Sequence, residues 1–271
     1  MTMAINRIKG IYFSPAGSTR EVVALMAERL SERLGVPCEL ASYTLPHERE
    51  AWQPIAADEL VVWGSPVYAG RLPNKMLDFV RSHIMGQGNM AVPVALFGGR
   101  SYDHAVSEMC QILREGGMAP VAAAAVVARH VFSPTLQQGR PNEADRAEIK
   151  AFCDRISLLP HDGLAVPGEG LQAPYYVPKK EDGTPAKFLK ALPQFAADRC
   201  EGCGRCAESC PTGCITLHEG RPHAEGVCIK CQACVRRCPA QAVAFADADF
   251  LSHVRMLEQN FSAPAHNTFW E

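Results

Sequence analysis

The sequence has little net charge, no long apolar run and no export signal. Lysine and arginine nearly balance aspartate and glutamate over 271 residues, and the formal net charge is −2. This balance gives no strong attraction to nucleic acid or to an anionic membrane surface. The longest nearly continuous apolar run, 119–128, is too short to span a bilayer. Residues 1–13 lack the charged-then-apolar pattern of a signal peptide. We therefore expect a cytoplasmic protein without membrane insertion or a nucleic-acid partner.

Common nucleotide-binding and catalytic signatures are missing as well. No G-x-G-x-x-G motif follows the first apolar run, which argues against the usual dinucleotide fingerprint. The nine histidines are scattered, and none shows the spacing of a metalloprotease or a His–Cys pair. We therefore assign no catalytic residue from the sequence.

Cysteine, in contrast, is abundant and occurs in two matching runs. The pattern C-x2-C-x2-C-x3-C-P extends from Cys200 to Pro211 and again from Cys228 to Pro239. A shift of 28 positions superposes all four cysteines and the proline, which indicates an internal duplication. This is the bacterial signature for 4Fe–4S clusters, in which the fourth cysteine of each run binds the other cluster.

The motif predicts two crossed sets of thiolate ligands. Three cysteines on a tight loop reach three corners of a cluster, so the fourth ligand must come from elsewhere and the two halves are locked together. The first set is Cys200, Cys203, Cys206 and Cys238, and the second is Cys228, Cys231, Cys234 and Cys210.

Other uses of these cysteines are weaker interpretations. Two zinc sites would favour separate C-x2-C pairs, and a disulfide framework would require an exported chain. Cys214, four residues after Cys210, could serve as an alternative ligand. Because the set of eight is already complete, we interpret Cys214 as a small buried packing residue.

Before the cysteines, short apolar runs alternate with helical patterns. The apolar runs lie at 8–13, 38–43, 60–63, 92–97 and 121–128. Each run is followed by a loop, and apolar residues at helical spacing follow most of them, with the last helix expected over 142–158. The alternation predicts an α/β fold with a doubly wound, five-stranded parallel sheet. Ligands of such sheets bind at the carboxyl ends of the strands.

Three distinctive loops follow the first, third and fourth predicted strands. The first, Ser14-Pro-Ala-Gly-Ser-Thr19, joins a strand to a helix N-terminus, where backbone N–H groups and the helix dipole favour a phosphate. It contains no lysine or arginine, so it is not a Walker-type triphosphate loop. An ordinary capped turn is the alternative interpretation. The other two loops are Gly64–Pro73 and Gly98–Asp103.

These loops resemble the three that hold FMN in flavodoxins. Together with the cysteine repeat, they make the chain similar to the flavodoxin–ferredoxin fusion family over about residues 6–159 and 195–246. The resemblance implies a flavodoxin-like sheet in the order 2-1-3-4-5 and a small α+β ferredoxin domain with two clusters. One departure is Ala16, where many flavodoxins have threonine.

The resemblance also implies an FMN site and its residues. Ser14, Ser18 and Thr19 are expected at the phosphate, and Tyr68 and Tyr102 at the isoalloxazine ring. The implied cofactor-binding residues are Ser14, Ala16, Gly17, Ser18, Thr19, Pro66, Val67, Tyr68, Ala69, Gly70, Gly98, Gly99, Arg100, Tyr102 and Asp103.

Four segments are expected along the chain. They are a flavodoxin-like FMN domain at 1–159, a Pro-rich linker at 160–194, a two-cluster ferredoxin domain at 195–247, and an amphipathic helix with a tail at 248–271. Prolines make the linker semi-rigid. The last helix should bury its apolar stripe while bracing the domain contact. That stripe consists of Phe250, Leu251, Val254, Leu257 and Phe261.

These expectations favour an electron-transfer protein that passes electrons between redox partner proteins. FMN exchanges one or two electrons, whereas each cluster exchanges one. One alternative is a flavin-dependent reductase of an organic substrate, fed by its own clusters, with Tyr102, Asp103 and His104 as the nearest proton donors. Another is a ferredoxin whose first domain docks without a flavin. The sequence does not decide between an enzyme and a carrier, and it favours the carrier.

Overall fold

The computed structural model describes residues 5–158 and 164–271. Pro160 and the expected boundary between residues 159 and 160 lie outside the described residues, as does the very start of the expected N-terminal domain, residues 1–4. In the described part of the chain, no helix combines the length and the apolar character that crossing a bilayer requires.

Strands and helices alternate along the first part of the chain, as the sequence predicts. The strands are β1 (Arg7–Tyr12), β2 (Cys38–Ser42), β3 (Glu59–Pro66), β4 (Met90–Phe97), β5 (Ala119–Pro120) and β6 (Ala123–Val127). The helices are α1 (Ser18–Leu34), α2 (Pro46–Glu50), α3 (Leu77–His83), α4 (Ala105–Glu115) and α5 (Glu143–Ile156). A 3-10 turn, Asn74–Met76, precedes α3.

Short elements make up the cysteine-rich part, and a longer helix follows it. The strands are β7 (Gln194–Phe195), β8 (Ile215–His218), β9 (Arg221–Ala224), β10 (Val243–Ala244) and, at the end, β11 (Thr268–Trp270). The helices are α6 (Arg205–Glu208), α7 (Ala233–Arg236) and α8 (Ala248–Asn260). The strands β7 to β10 form two antiparallel pairs, β7 with β10 and β8 with β9.

The main sheet has the predicted flavodoxin-like topology. Its strands follow the order β2-β1-β3-β4-β6, and all of these neighbours are parallel. The fifth predicted strand is divided into β5 and β6, which both pair with β4. An antiparallel neighbour of β6, β11, extends the sheet at that edge. The three residues of β11 are too few to show a strand pattern in the sequence, so this edge was not predicted.

Helices cover both faces of the sheet and bury two apolar layers. Helices α1 and α5 pack together on one face, with Val22, Met26 and Phe152 buried there. On the other face, α3 and α4 cover Phe13 and Trp63. Trp63 is fully buried, and its indole N–H donates to the Tyr43 hydroxyl at 3.0 Å.

Helix ends follow the local signals in the sequence. Gly35 ends α1 in the left-handed region, with φ of 68°, and its N–H donates to the Ser31 carbonyl. Asn142 caps α5, because its side chain accepts from the Asp145 N–H at 3.1 Å. The long α1 thus begins and ends where the strand–loop–helix pattern places it.

The connector docks on the first part of the chain. Tyr176 N–H donates to the Ala69 carbonyl at 2.8 Å, and the Tyr175 hydroxyl donates to the Leu72 carbonyl at the same distance. The guanidinium of Arg100 lies 4.1 Å from the centre of the Tyr176 ring. These contacts hold residues 174–178 against the loop that follows β3, which is consistent with a semi-rigid connector.

Helix α8 braces the junction between the two parts of the chain. Phe250 and Leu257 are buried and Val254 and Phe261 are half-buried, but Leu251 is 39% exposed, so its predicted burial is wrong. His253 and Met256 are buried instead. The buried stripe therefore runs through positions 250, 253, 256 and 257, and the sequence pattern missed its polar member, the histidine.

Candidate functional site

A cavity opens at the carboxyl edge of the main sheet. Four segments line it: residues 15–19 after β1, 66–68 at the end of β3, 96–98 at the end of β4 and 128–131 after β6. The first three segments include residues of the three predicted loops. The fourth was not predicted as part of the site.

Eight of the predicted cofactor-binding residues line this cavity. They are Ala16, Gly17, Ser18, Thr19, Pro66, Val67, Tyr68 and Gly98. The others lie beside the lining or behind it. They are Ser14, Ala69, Gly70, Gly99, Arg100, Tyr102 and Asp103.

The first loop presents the beginning of α1 to the cavity. Gly17, with φ of 99°, precedes the helix, and Ser18 and Thr19 are its first two residues. N–H groups in the first turn of a helix have no partner within the helix. Ser14 is buried behind them, where its hydroxyl accepts from the Arg20 N–H at 2.9 Å. Ser14 therefore supports the loop.

The two flanking loops are fastened to each other. The His104 N–H donates to the Gly70 carbonyl at 2.9 Å. A β-carbon at Gly70 would lie 2.1 Å from Asp103 Oδ2, and Gly70 has a φ of 80°, so both the close approach and the backbone conformation require glycine. Asp103 is also paired with Arg100. These residues position the loops from outside the cavity.

Tyr102 packs against the C-terminal tail. Its ring meets Phe97 edge-on at 5.2 Å and Trp270 at 5.8 Å, and its hydroxyl lies 3.4 Å from Thr268 Oγ1. Both tail residues belong to β11. Tyr102 therefore packs between Phe97 of β4 and Trp270 of β11, and it lies outside the cavity lining.

The missed segment, Ala128–Val131, brings Arg129 and His130 to the cavity. Burial, together with the nearby charges of His253 and Arg236, lowers the pKa of His130 to about 4, so its ring is neutral near pH 7. The only sequence signal that could have identified this segment was its position in the chain. This segment directly follows the fifth predicted strand and so ends at the same sheet edge as the other three loops.

The predicted cluster ligands surround two further cavities. One is lined by Cys200, Cys203, Cys206 and Cys238. The other is lined by Cys210, Cys228, Cys231 and Cys234, together with Cys214. The structure thus brings together the same two crossed sets that the motif predicts. Four sulfur donors in the lining of a small, mainly apolar cavity fit an iron–sulfur cluster.

Cys214 lies among the second set of cysteines. Its sulfur is 3.5 Å from that of Cys210, and its side chain is buried. Backbone N–H groups also reach the predicted ligands, since Lys230 N–H points to Cys228 Sγ at 3.4 Å and Ala242 N–H to Cys238 Sγ at 3.2 Å. Such N–H···S contacts are among the features that set cluster potentials.

The second cysteine cavity adjoins the sheet-edge cavity. Arg236 donates to the His130 carbonyl at 3.2 Å, and Arg49 donates to the Pro211 carbonyl at 2.8 Å. Ile229 packs on the apolar core of the first part. Burial raises the pKa of Tyr68 well above its ordinary value. Arg236, two residues after Cys234, links the two cavities through His130, which lines the first.

The sequence matches a profile of the flavodoxin domain over residues 11–151, more than half of its 271 residues. The chain belongs to the flavodoxin-domain family. A second profile, the 4Fe-4S dicluster domain, matches residues 199–243. The flavodoxin domain is thus followed by a 4Fe-4S domain, which is the predicted fusion arrangement.

Solved structures, flavodoxins among them, are similar to a little more than half of the chain. A flavodoxin from the domain Archaea is 17% identical, with a TM-score of 0.37, and the match covers 56% of this chain and 96% of that one. A flavodoxin variant from Pseudomonas aeruginosa is 15% identical, with a TM-score of 0.39, covering 56% and 96%. Rubredoxin oxygen:oxidoreductase from Desulfovibrio gigas is 18% identical, with a TM-score of 0.40, covering 57% of this chain but 36% of its own. A search of curated proteins finds no match.

The two matched domains define the broad chemistry of this flavodoxin-family protein. A flavodoxin domain implies a flavin, and a 4Fe-4S domain implies an iron–sulfur cluster. Both groups carry electrons. The protein therefore has a redox or electron-transfer role, which implies redox partners.

Proposed function

We propose that this protein transfers electrons between redox partner proteins through one FMN and two 4Fe–4S clusters. FMN supplies one- or two-electron chemistry, and each cluster supplies one-electron chemistry. The three cavities and their linings support this assignment, because each offers donors that suit the group proposed for it.

The sheet-edge cavity is the proposed FMN site. Ser18, Thr19 and the free N–H groups at the start of α1 would hold the phosphate, because the helix dipole and these donors favour an anion. Tyr68 would contact the flavin ring. His130 adds a neutral ring and Arg129 a positive charge to the same lining. Gly70, Arg100 and Asp103 would keep the flanking loops in place.

The two cysteine cavities are the proposed cluster sites. Each takes three thiolates from one half of the repeat and the fourth from the other half, so neither half can bind its cluster alone. We name the second site, with Cys210, Cys228, Cys231 and Cys234, the proximal site. The first, with Cys200, Cys203, Cys206 and Cys238, is the distal site.

The contact between Arg236 and His130 is the observation that supports internal electron transfer. His130 lines the proposed FMN cavity, and its carbonyl accepts at 3.2 Å from Arg236, which lies two residues after Cys234 of the proximal site. Residues of the distal cavity come from 195–243, and one of its ligands, Cys203, is exposed. We therefore infer a path from the flavin to the proximal site, then to the distal site and to a partner protein.

A fixed geometry is part of the proposal. The connector docks through Tyr175 and Tyr176, and α8 packs across the junction through Phe250. We propose that the flavodoxin-like domain, linker, ferredoxin domain and C-terminal helix act as one electron-transfer unit. Tyr102 and Asp103 are engaged with Trp270 and Arg100, so neither is placed to deliver a proton to an organic substrate in the cavity.

Anaerobic reconstitution of the full chain tests the proposal. We expect about eight iron and eight acid-labile sulfide per chain, from two cubanes, together with one FMN identified by its spectrum after release. Rapid reduction of the flavin should then be followed by the appearance of reduced clusters within the same molecule.

Three results would contradict the proposal in different ways. Bound zinc without acid-labile sulfide would exclude the clusters. Full clusters without FMN uptake would favour a docking domain that binds no flavin. Flavin reduction that never reaches the clusters, at any protein concentration, would exclude internal transfer.

A further inference from the structure

The duplicated cluster loops differ in charge at several positions, and among the charged residues at these positions Lys230 is the buried one. In the repeat, Lys230 corresponds to Gly202, since each lies between the first and second cysteine of its run. Both residues have left-handed backbone conformations, with φ of 56° for Lys230 and 69° for Gly202. Residues other than glycine seldom adopt this conformation, and it costs them free energy. The proximal loop therefore keeps a lysine in a conformation that suits the glycine of the distal loop.

The ammonium group of Lys230 is buried against the proximal loop. The residue is 6% exposed, and its Nζ donates to the Cys228 carbonyl at 2.9 Å and to the Leu189 carbonyl in the connector. Both of these acceptors are neutral carbonyl oxygens. The carboxylate of Asp247 acts on the charge of Lys230 and also caps α8, accepting from the Phe250 N–H at 2.9 Å.

The distal loop has no room for an equivalent side chain. A β-carbon at Gly202 would lie 2.7 Å from the Gly220 carbonyl oxygen, which belongs to the turn between β8 and β9. A cation does approach this loop, because Arg221 donates to the Cys200 carbonyl at 3.1 Å. Arg221 is exposed, however, so water and salt screen its charge far more than that of Lys230.

We propose that Lys230 raises the reduction potential of the proximal cluster and makes it inequivalent to the distal one. A one-electron reduction adds a negative charge to the site, and a buried positive charge stabilises the reduced form more than the oxidised form. The proximal site then accepts an electron more readily, next to the flavin. This inference rests on the proposed function, since it assigns different roles to the two proposed clusters.

Redox titration of the full chain, followed by electron paramagnetic resonance, tests this proposal. Lys230→Met and Lys230→Gln both remove the charge, and Gln retains a donor for the backbone carbonyls. We expect each to make reduction of the proximal cluster at least tenfold less favourable, which corresponds to a fall of about 59 mV for one electron. The distal potential should not change. Arg221→Gln is the matched control. In this variant the distal potential should fall by much less than the proximal potential falls in the Lys230 variants.

The outcomes also separate this proposal from the proposed function. Iron, sulfide and FMN are counted on the same samples, so missing cofactors in the unchanged protein would refute the function itself. Normal cofactor content with an unchanged proximal potential would overturn the role of Lys230. Loss of the proximal cluster in both variants would also overturn it, because the lysine would then serve assembly.

Discussion

The flavodoxin region and the cluster region hold their cores in different ways. In the first, buried aromatic and aliphatic side chains such as Phe13, Trp63 and Phe152 fill both faces of the sheet. In the second, the buried group consists mainly of cysteines: Cys206, Cys210, Cys214 and Cys234 with Ile215 and Val243. The first region encloses an apolar core and presents its site at an edge. The second region is built around its site.

This difference indicates how each region depends on its cofactor. Apolar burial stabilises the flavodoxin sheet whether or not a ligand occupies the cavity. A region this small, with so few apolar side chains inside, gains much of its folding free energy from bound metal. We therefore expect loss of the flavin to affect function, and loss of iron to affect the fold.

The largest expected effect is the unfolding of the cluster region when iron is removed. After chelation under reducing conditions, amide protons in β7 to β10 should lose their protection from hydrogen exchange, whereas those in β3 and β4 should keep it. Protein freed of FMN but containing its iron is the control and should stay protected in both regions. Retained protection in β7 to β10 without iron would show that this region has a sufficient core of its own.

Substitution of a single cysteine tests the same comparison with a smaller perturbation than removal of all the iron. Cys203→Ser changes an exposed cysteine of the proposed distal site, so it should lower the iron content and also loosen the proximal site through the proposed crossed ligand Cys210. Iron content and electron paramagnetic resonance of the remaining cluster measure both effects.

The next largest effect concerns the junction that joins the two regions. Phe250 is buried against Phe132, Phe188 and Phe245, with ring centres 4.9, 5.4 and 5.2 Å away. Because these rings belong to the flavodoxin region, the connector and the cluster region, Phe250→Ala should cost about 3–5 kcal/mol at the junction. It should slow electron transfer from flavin to clusters without emptying either site.

The matched control on the same helix is Leu251→Ala, since Leu251 is largely solvent-exposed. Stopped-flow rates of cluster reduction compare the two variants. Equal rates would show that α8 does not set the distance between the sites. These point changes are sharper than deletion of residues 248–271, because deletion would also remove β11 from the main sheet.

The smallest expected effect is local to the FMN cavity. Ser18→Asp would add a negative charge beside the proposed phosphate site and should weaken FMN binding about 10- to 100-fold, while the fold is retained. Arg20→Asp is the control, because it puts a carboxylate in the same helical turn but on an exposed position outside the lining. Fluorescence titration of FMN measures both affinities, and equal affinities would contradict the assignment.

Sequence patterns captured most of the fold because they rest on local physics. The apolar runs and the loop–helix transitions placed the main strands within a few residues. The pattern missed β11 and the division of the fifth strand, since these are set by pairing with β4 and β6 over long distances in the chain. It also expected Leu251 inside, whereas His253 occupies the inner face.

In the candidate site, too, local sequence patterns predicted some features and missed others. Cysteine spacing predicts its proposed ligand sets because a cluster imposes that spacing. The flavin loops were found from their composition, but composition could not tell lining residues such as Ser18 from supporting ones such as Ser14. Arg129 and His130 were missed because their segment carries no glycine-rich or hydroxyl-rich signal, only a position after a strand.

The pairing of β11 with β6 changes how the cluster region is attached. The chain leaves the flavodoxin sheet after α5, forms the cluster region and α8, and returns to the same sheet, where Asn267 accepts from the Val127 N–H at 2.9 Å. The cluster region is thus tethered at both ends, like an insertion within one domain. Attachment at both ends restricts the motion of the cluster region far more than one flexible linker would. The proximal site is therefore held near the sheet edge at a high effective concentration. Swinging the cluster region out to a distant partner would require peeling a strand from the sheet, and a partner must therefore come to it.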